Sequence, residues 1–148
     1  MPRSARPAAP AIQAEAAPAP ALSALAGRTA LVLENDLPIL EGMIGLLERW
    51  KMRAIPVVSV QEALESLETL TKLPDILIAD YHLDNGENGL DAILALRTTG
   101  GRAIPAMLIT ADHSQQLKTR ATDSDVEILH KPVHSQDLSA AIGRLIGP

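Results

Sequence analysis

The sequence predicts an α/β fold built on a doubly wound parallel sheet of five strands. Short apolar runs such as Ile76-Leu77-Ile78-Ala79 are typical of strands buried on both faces. Stretches in which apolar residues recur at helical spacing separate these runs along the chain. The runs also end on polar residues, at the edge of the sheet where open α/β folds carry their chemistry. The polar residues at these ends include Glu34, Asp80, Thr110 and Lys131.

The first strand, helix and second strand follow directly from this pattern. Residues 29–34 form the first strand, and Pro38 suits the first turn of a helix that continues to about residue 50. Residues 54–58 form the second strand. Pro56 favours an edge position for it, because proline donates no backbone hydrogen bond.

The middle of the chain continues the alternation. Ser59 is expected to cap the second helix, since its hydroxyl can accept from a first-turn amide. Residues 75–80 form the third strand. Gly86 and Gly89 mark a loop, and the third helix is predicted over Leu90–Arg97.

Gly100-Gly101 end the third helix, and two further βα units follow. Residues 104–109 form the fourth strand, 113–122 a weakly apolar helix, 126–130 the fifth strand and about 135–146 the last helix. Right-handed crossovers between five such units predict a flavodoxin-like sandwich.

The length of 148 residues suits one folded domain with a tail. Residues 1–27 are rich in Ala and Pro and have no repeated apolar face, so we predict a mobile tail or linker there and a domain over 28–148. Prolines interrupt the tail, which argues against a secretory signal. No apolar stretch is long enough to span a bilayer, and no membrane partner is expected.

Charge and cysteine content narrow the class of partner. The formal net charge is −5; Arg3 and Arg6 against Glu15 give the tail +1, so the remaining residues carry −6. An acidic domain without a basic stripe is a poor nucleic-acid binder, so the expected partner is a protein. The chain has no cysteine, which excludes disulfides and thiolate metal sites. A cytoplasmic location is the simplest expectation.

Four short motifs lie at the ends of the predicted strands. They are Leu33-Glu34-Asn35-Asp36, Ala79-Asp80-Tyr81-His82-Leu83, Thr110-Ala111 and Lys131-Pro132. In this order and spacing they resemble the signature positions of response-regulator receiver domains, over essentially all of residues 28–148. The narrower resemblance is to receivers attached to the C-terminus of hybrid sensor histidine kinases, and it rests on Glu34-Asn35-Asp36, Leu40-Glu41-Gly42-Met43 and Leu129-His130-Lys131-Pro132-Val133.

The resemblance implies a role for each strand-end residue. Asp80 would be the phosphoacceptor, Thr110 would donate its hydroxyl to the phosphoryl group, and Lys131 would contact that group as a point charge. The Lys131-Pro132 bond would be the cis peptide of the family. Asp80 alone would otherwise be interpreted as a turn or cap residue.

The resemblance also implies a divalent metal, Mg²⁺ or Mn²⁺. Its ligands would be the carboxylates of Glu34 and Asp80 and the backbone carbonyl of His82, with Asn35 or Asp36 as a further candidate. Asp36 has an equally good alternative interpretation as the N-cap of the first helix.

Two positions depart from the family pattern. Where the family usually has a second acid after the first strand, this chain has Asn35, which offers an oxygen but no charge. Three residues before Lys131, where many receivers carry Tyr or Phe, it has Ile128. We therefore expect weaker metal binding unless Asp36 takes part, and an output that uses backbone or loop shifts.

The expected function is that of a signalling phosphoacceptor rather than an enzyme, with weak intrinsic self-phosphorylation and dephosphorylation. The phosphoryl group would come to Asp80 from a histidine kinase or a histidine phosphotransfer protein. Asn35 and Ile128 keep a second hypothesis open, a pseudo-receiver that binds a partner without phosphorylation. A phosphohydrolase is disfavoured because its usual second Asp, two residues after the nucleophile, is here His82.

Overall fold

The computed structural model describes residues 12–13 and 24–146. Five strands form the main sheet: β1 Thr29–Leu33, β2 Arg53–Val57, β3 Ile76–Asp80, β4 Ala106–Thr110 and β5 Glu127–His130. Five helices follow them in turn: α1 Leu37–Arg49, α2 Val60–Thr69, α3 Gly89–Gly100, α4 Gln115–Asp123 and α5 Ser135–Ile146. None of the helices in the described part of the chain has the length and apolar character needed to cross a membrane.

All pairs in the main sheet are parallel, and the strand order is β2-β1-β3-β4-β5. The predicted flavodoxin-like sandwich is therefore confirmed, with β2 at the predicted edge. The order of the strands reverses between β1 and β3, which opens a crevice beyond their carboxyl ends. Glu34 and Asp80 lie at the two sides of this crevice.

Two apolar layers cover the sheet. On one face α1 and α5 pack against it through residues that include Leu40, Met43, Leu47, Leu138 and Ile142. On the other face α2, α3 and α4 pack through residues that include Ala63, Leu67, Ile93, Leu96 and Leu117. Burial on both faces explains why the central strands are continuous apolar runs without alternation.

Caps set the helix limits. Ser59 caps α2 as predicted, with its side chain accepting from the amide of Glu62. Asn88 and Ser114 cap α3 and α4, so α4 begins two residues later than its apolar spacing predicts. α3 runs past Arg97 to Gly100 and ends at Gly101, whose φ of 74° is the left-handed conformation that glycine adopts most readily.

The strand limits differ from the sequence patterns by one or two residues. The largest difference is in β4, which begins at Ala106 where residue 104 was predicted. Pro105 has no amide to donate to a strand ladder, although its carbonyl accepts from Leu77. The apolar run thus enters the core before its backbone joins the sheet.

Structure also appears inside the segment predicted as a tail, residues 1–27. Leu25 is fully buried in the α1–α5 layer, and Ile12–Gln13 pairs in parallel with the short strand Val133–His134. The other residues before 24 lie outside the described part of the chain, so the tail assignment stays a prediction. The core reaches three residues before the predicted start of the domain at 28.

Arg97 joins three segments at the end of the sheet opposite the crevice. Its guanidinium donates to the carbonyls of Ile104 at 2.8 Å, Ser124 at 2.6 Å and Asp125 at 2.9 Å. Burial lowers the pKa of Arg97, and the nearby Asp125 carboxylate opposes this shift. The arginine therefore ties α3 to the segments that lead into β4 and β5.

Removing this side chain should weaken the fold. We expect Arg97→Ala to lower the free energy of unfolding by about 2 kcal/mol, because three carbonyls lose a charged donor in a partly buried site. Urea denaturation monitored by circular dichroism measures it. Arg102→Ala removes an exposed arginine from the same region and should change stability by no more than about 0.5 kcal/mol. Equal effects of the two substitutions would contradict the role of Arg97.

Candidate functional site

The four polar residues identified at strand ends lie on one edge of the sheet. Glu34 follows β1, Asp80 ends β3, Thr110 ends β4 and Lys131 follows β5. Because β1, β3, β4 and β5 are neighbours in that order, parallel pairing brings their carboxyl ends together. The result is a compact group of two carboxylates, one hydroxyl and one ammonium.

Asp80 and Lys131 form an ion pair at the centre of this group. The Lys131 Nζ atom lies 2.7 Å from Asp80 Oδ1, and the Asp80 side chain is only 5% exposed. The same Oδ1 atom is buried and receives no directed hydrogen bond from the described residues. A buried carboxylate oxygen with a single cationic contact retains the capacity to accept another positive group. The Lys131-Pro132 bond is cis, as the resemblance implied.

Glu34 lies close enough to Asp80 for their charges to interact. It is 6% exposed, and burial raises its pKa from 4.5 to about 7. The amide of Asp36 donates to Glu34 Oε2 at 3.0 Å, which lowers the pKa, whereas the charge of Asp80 raises it and that of Lys131 lowers it. One ammonium therefore does not fully balance two buried carboxylates.

Thr110 is fully buried and held in a defined orientation. Its Oγ1 atom accepts from the amide of Asp112 at 2.9 Å, which leaves the hydroxyl proton available for donation to another group. Its carbonyl accepts from the amide of Lys131 at 2.9 Å. A backbone hydrogen bond between the ends of β4 and β5 thus links the residues that carry the hydroxyl and the ammonium.

The remaining candidate ligands have different surroundings. Asp36 is the N-cap of α1, and its Oδ1 atom accepts from the amide of Ile39 at 3.2 Å. Asn35 is half-buried between Glu34 and this cap, while the His82 side chain is exposed and lies edge-on to Tyr81. Within residues 24–146, no group of three or more His, Asp or Glu side chains is arranged to hold a metal.

Gly89 supports the site in a way that its sequence position did not reveal. The sequence pattern marked it as a loop residue, but it opens α3 and packs against the end of β3. A Cβ atom at this position would lie 2.3 Å from the carbonyl oxygen of Asp80, so a side chain would displace the backbone that carries the candidate phosphoacceptor. The only local signal is a glycine after Asn88, the N-cap of α3.

Asp112 is a second contributor that the strand-end pattern did not identify. Besides its amide contact with Thr110, its Oδ1 atom accepts from the amide of Ser114 at 2.7 Å. This hydrogen bond is the main cause of the lowered pKa of Asp112. The ionised side chain thereby shapes the turn between Thr110 and α4.

Comparisons with known proteins agree with this geometry. A family model described as "Response regulator receiver domain" matches residues 30–143. Among curated proteins no relative matches the chain.

Similar solved structures include a response regulator receiver domain protein from Clostridium thermocellum, at 24% identity and a TM-score of 0.72 over 80% of this chain and 94% of that one. Chemotaxis protein CheY4 of Vibrio cholerae has 18% identity and a TM-score of 0.72 over 81% and 99%. The receiver domain of the hybrid histidine kinase CckA has 20% identity and a TM-score of 0.65 over 80% and 99%. These similarities establish the fold.

The raised pKa of Glu34 predicts how stability depends on pH when no divalent ion is present. The unfolded chain loses this proton near pH 4.5 and the folded chain near 7, so stability falls as the pH rises through that range. We expect the free energy of unfolding to drop by at most about 3 kcal/mol between pH 5 and 8.

Glu34→Gln is the matched control. The side-chain oxygen of the glutamine can still accept from the Asp36 amide, but the glutamine stays uncharged at every pH. Urea denaturation in a chelating buffer should show a smaller drop for this variant than for the unmodified protein. Parallel pH curves for the two proteins would contradict the assignment.

Proposed function

The chain belongs to the response regulator receiver domain family, and on this premise we propose that Asp80 accepts a phosphoryl group from a phosphohistidine. One observation carries the proposal: the Asp80 carboxylate is buried at the carboxyl end of β3 with the Lys131 ammonium 2.7 Å from its Oδ1 atom. A carboxylate attacks phosphorus only where positive groups offset the repulsion between the two anions. Lys131 supplies such a charge.

In the proposed transfer an Asp80 oxygen forms a bond to phosphorus as the bond between phosphorus and the donor imidazole nitrogen breaks. The imidazole keeps the electron pair of the broken bond and takes up a proton from solvent. Charge on the transferring oxygens is stabilised by the Lys131 ammonium and by the proton that Thr110 has available. These groups position and stabilise the transfer, and no other covalent chemistry is required of the protein.

Glu34 and Asp80 suit a hard divalent cation, Mg²⁺ or Mn²⁺. Burial is the main cause of the raised pKa of Glu34 and the charge of nearby Asp80 adds to it, so a bound cation would stabilise both ionised carboxylates. These two carboxylates, with the His82 carbonyl and Asn35, would hold the ion. When bound, the ion would neutralise charge on the phosphoryl oxygens. Asp36 is the less favoured ligand, because its side chain already caps α1.

We propose a histidine kinase or a histidine phosphotransfer protein in the cytoplasm as the partner. An acidic domain without a basic stripe is a poor binder of nucleic acid. Membership of the receiver family favours a protein partner from a two-component signalling system. Similarity to the receiver domain of the hybrid histidine kinase CckA supports the narrower proposal that this receiver is of the hybrid-kinase type. The proposed receiver extends over residues 28–148, with 1–27 as a tail or linker from which Leu25 packs into the core.

A second function remains a candidate because of one feature of the site. Asn35 stands where the family usually supplies a charged metal ligand, and Asp36 is occupied as a cap. If the remaining two carboxylates bind the metal too weakly for transfer, the chain would act as a pseudo-receiver that binds its partner without phosphorylation. Metal-dependent uptake of phosphate by the purified protein separates the two functions.

The acceptor is tested by Asp80→Asn. An amide is a poor nucleophile for phosphorus, so this variant should lose labelling by a histidine-phosphorylated kinase essentially completely while its circular dichroism stays unchanged. Asp84→Asn, which changes an exposed carboxylate four residues later, should label like the unmodified protein. Intact mass spectrometry reads out one added phosphate. Labelling that persists in Asp80→Asn would refute the assignment.

The metal is tested by Asn35→Asp. Adding a carboxylate beside Glu34 should tighten Mg²⁺ binding by on the order of tenfold, because hard cations prefer charged oxygen ligands. Isothermal calorimetry provides the affinity. Asn85→Asp adds the same charge in the exposed loop after β3 and should have a smaller effect. Unchanged affinity in Asn35→Asp would indicate that this position does not face the metal.

A further inference from the structure

His130 makes two contacts with the loop that follows β4, the segment Ala111–Ser114. Its Nε2 atom lies 3.1 Å from the carbonyl oxygen of Asp112. Its ring stacks on that of His113, with centroids 3.9 Å apart and planes inclined by 10°. We call this arrangement of His130, His113 and the Asp112 carbonyl the histidine clasp.

The clasp is built on the backbone that carries the proposed phosphoryl-contacting residues. His130 is the sheet partner of Thr110 and immediately precedes Lys131. The amide of Asp112 donates to Thr110 Oγ1, and its carbonyl contacts His130. Asp112 therefore contacts both the Thr110 hydroxyl, through its amide, and the His130 ring, through its carbonyl.

Aromatic side chains are rare in this chain, so a stacked pair of rings is an unusual contact for it. The chain has one Trp, one Tyr and no Phe. Ile128, two residues before His130 on the same face of β5, supplies no ring. The imidazole stack is thus the aromatic contact that joins β5 to the loop.

We propose that His130 is a positioning residue for the Thr110 hydroxyl, acting through the Asp112 backbone with His113 stacked behind it. This inference rests on the proposed function of Thr110. By holding the loop against β5, the clasp keeps the Asp112 amide on Oγ1 and directs the hydroxyl proton toward Asp80. When the hydroxyl binds a phosphoryl group, the clasp passes the movement of the loop to the surface formed by α4, β5 and α5.

The hydrogen bond sets a tautomer that spectroscopy can measure. A carbonyl oxygen only accepts, so the His130 Nε2 atom must carry a proton. Long-range proton–nitrogen NMR spectra of the free, full-length chain at neutral pH should show the Nε2–H form for His130. A ring protonated only at Nδ1, or one averaging between the two forms, would overturn the clasp.

Amide exchange tests the loop in the same free protein. His130→Ala removes both contacts and should accelerate exchange of the Asp112 amide by roughly tenfold. His130→Gln keeps an N–H donor and should recover part of the protection. His113→Phe keeps the stacked ring and should exchange at nearly the original rate. Lys118→Ala, an exposed change on α4, serves as the control. Unchanged exchange in His130→Ala would refute the positioning role.

Beryllofluoride with Mg²⁺ then tests the transmission step. The amide shifts of residues 111–115 should respond in the unmodified chain and fall to less than about half of that response in His130→Ala. A full response in His130→Ala would overturn the clasp as the route of transmission. If the unmodified chain neither labels at Asp80 nor responds, the proposed function fails, while the tautomer and exchange results still decide whether the clasp exists.

Discussion

The close approach of two buried carboxylates is the constraint on which the site depends. Glu34 and Asp80 are 6% and 4% exposed at the ends of adjacent strands, and the Lys131 ammonium contacts Asp80. Such an arrangement is electrostatically unfavourable by itself, because burial, and to a smaller extent the charge of Asp80, raise the pKa of Glu34. The sheet maintains it because β1 and β3 are held by apolar burial on both faces. The fold thus supplies the stability that keeps these two carboxylates together at the crevice.

Local patterns predicted most of the architecture. Apolar runs located the five strands within two residues, and Ser59 was correctly expected to cap α2. The strand-end positions of Glu34, Asp80, Thr110 and Lys131 followed from the rule that open parallel sheets gather their carboxyl ends. Their proximity to one another follows from the strand order of the flavodoxin-like sandwich that the alternating pattern predicted. The roles of these residues in phosphoryl transfer remain predictions.

Contacts between segments distant in sequence were not predictable. Arg97 was expected only as the last residue of α3, yet it joins α3 to carbonyls as many as 28 positions away. Gly89 was taken for a loop marker, since a glycine after Asn88 does not by itself show that the missing side chain makes room for the Asp80 carbonyl. His113 and His130 were not among the candidate site residues of the sequence. Their stacking depends on the register between β4 and β5, which a single sequence does not specify.

Pro56 affects how the sheet meets other molecules. It lies in β2, at an outer edge of the sheet, in register with Val32 of β1. Edge strands present free amides and carbonyls that can recruit a strand from another chain, and this recruitment is a common start of aggregation. Proline interrupts that row of donors, and exposed Arg53 at the start of β2 adds charge to the same edge. At high local concentration, therefore, pairing of two copies through their β2 strands is disfavoured. Growth of fibres along this edge is disfavoured for the same reason.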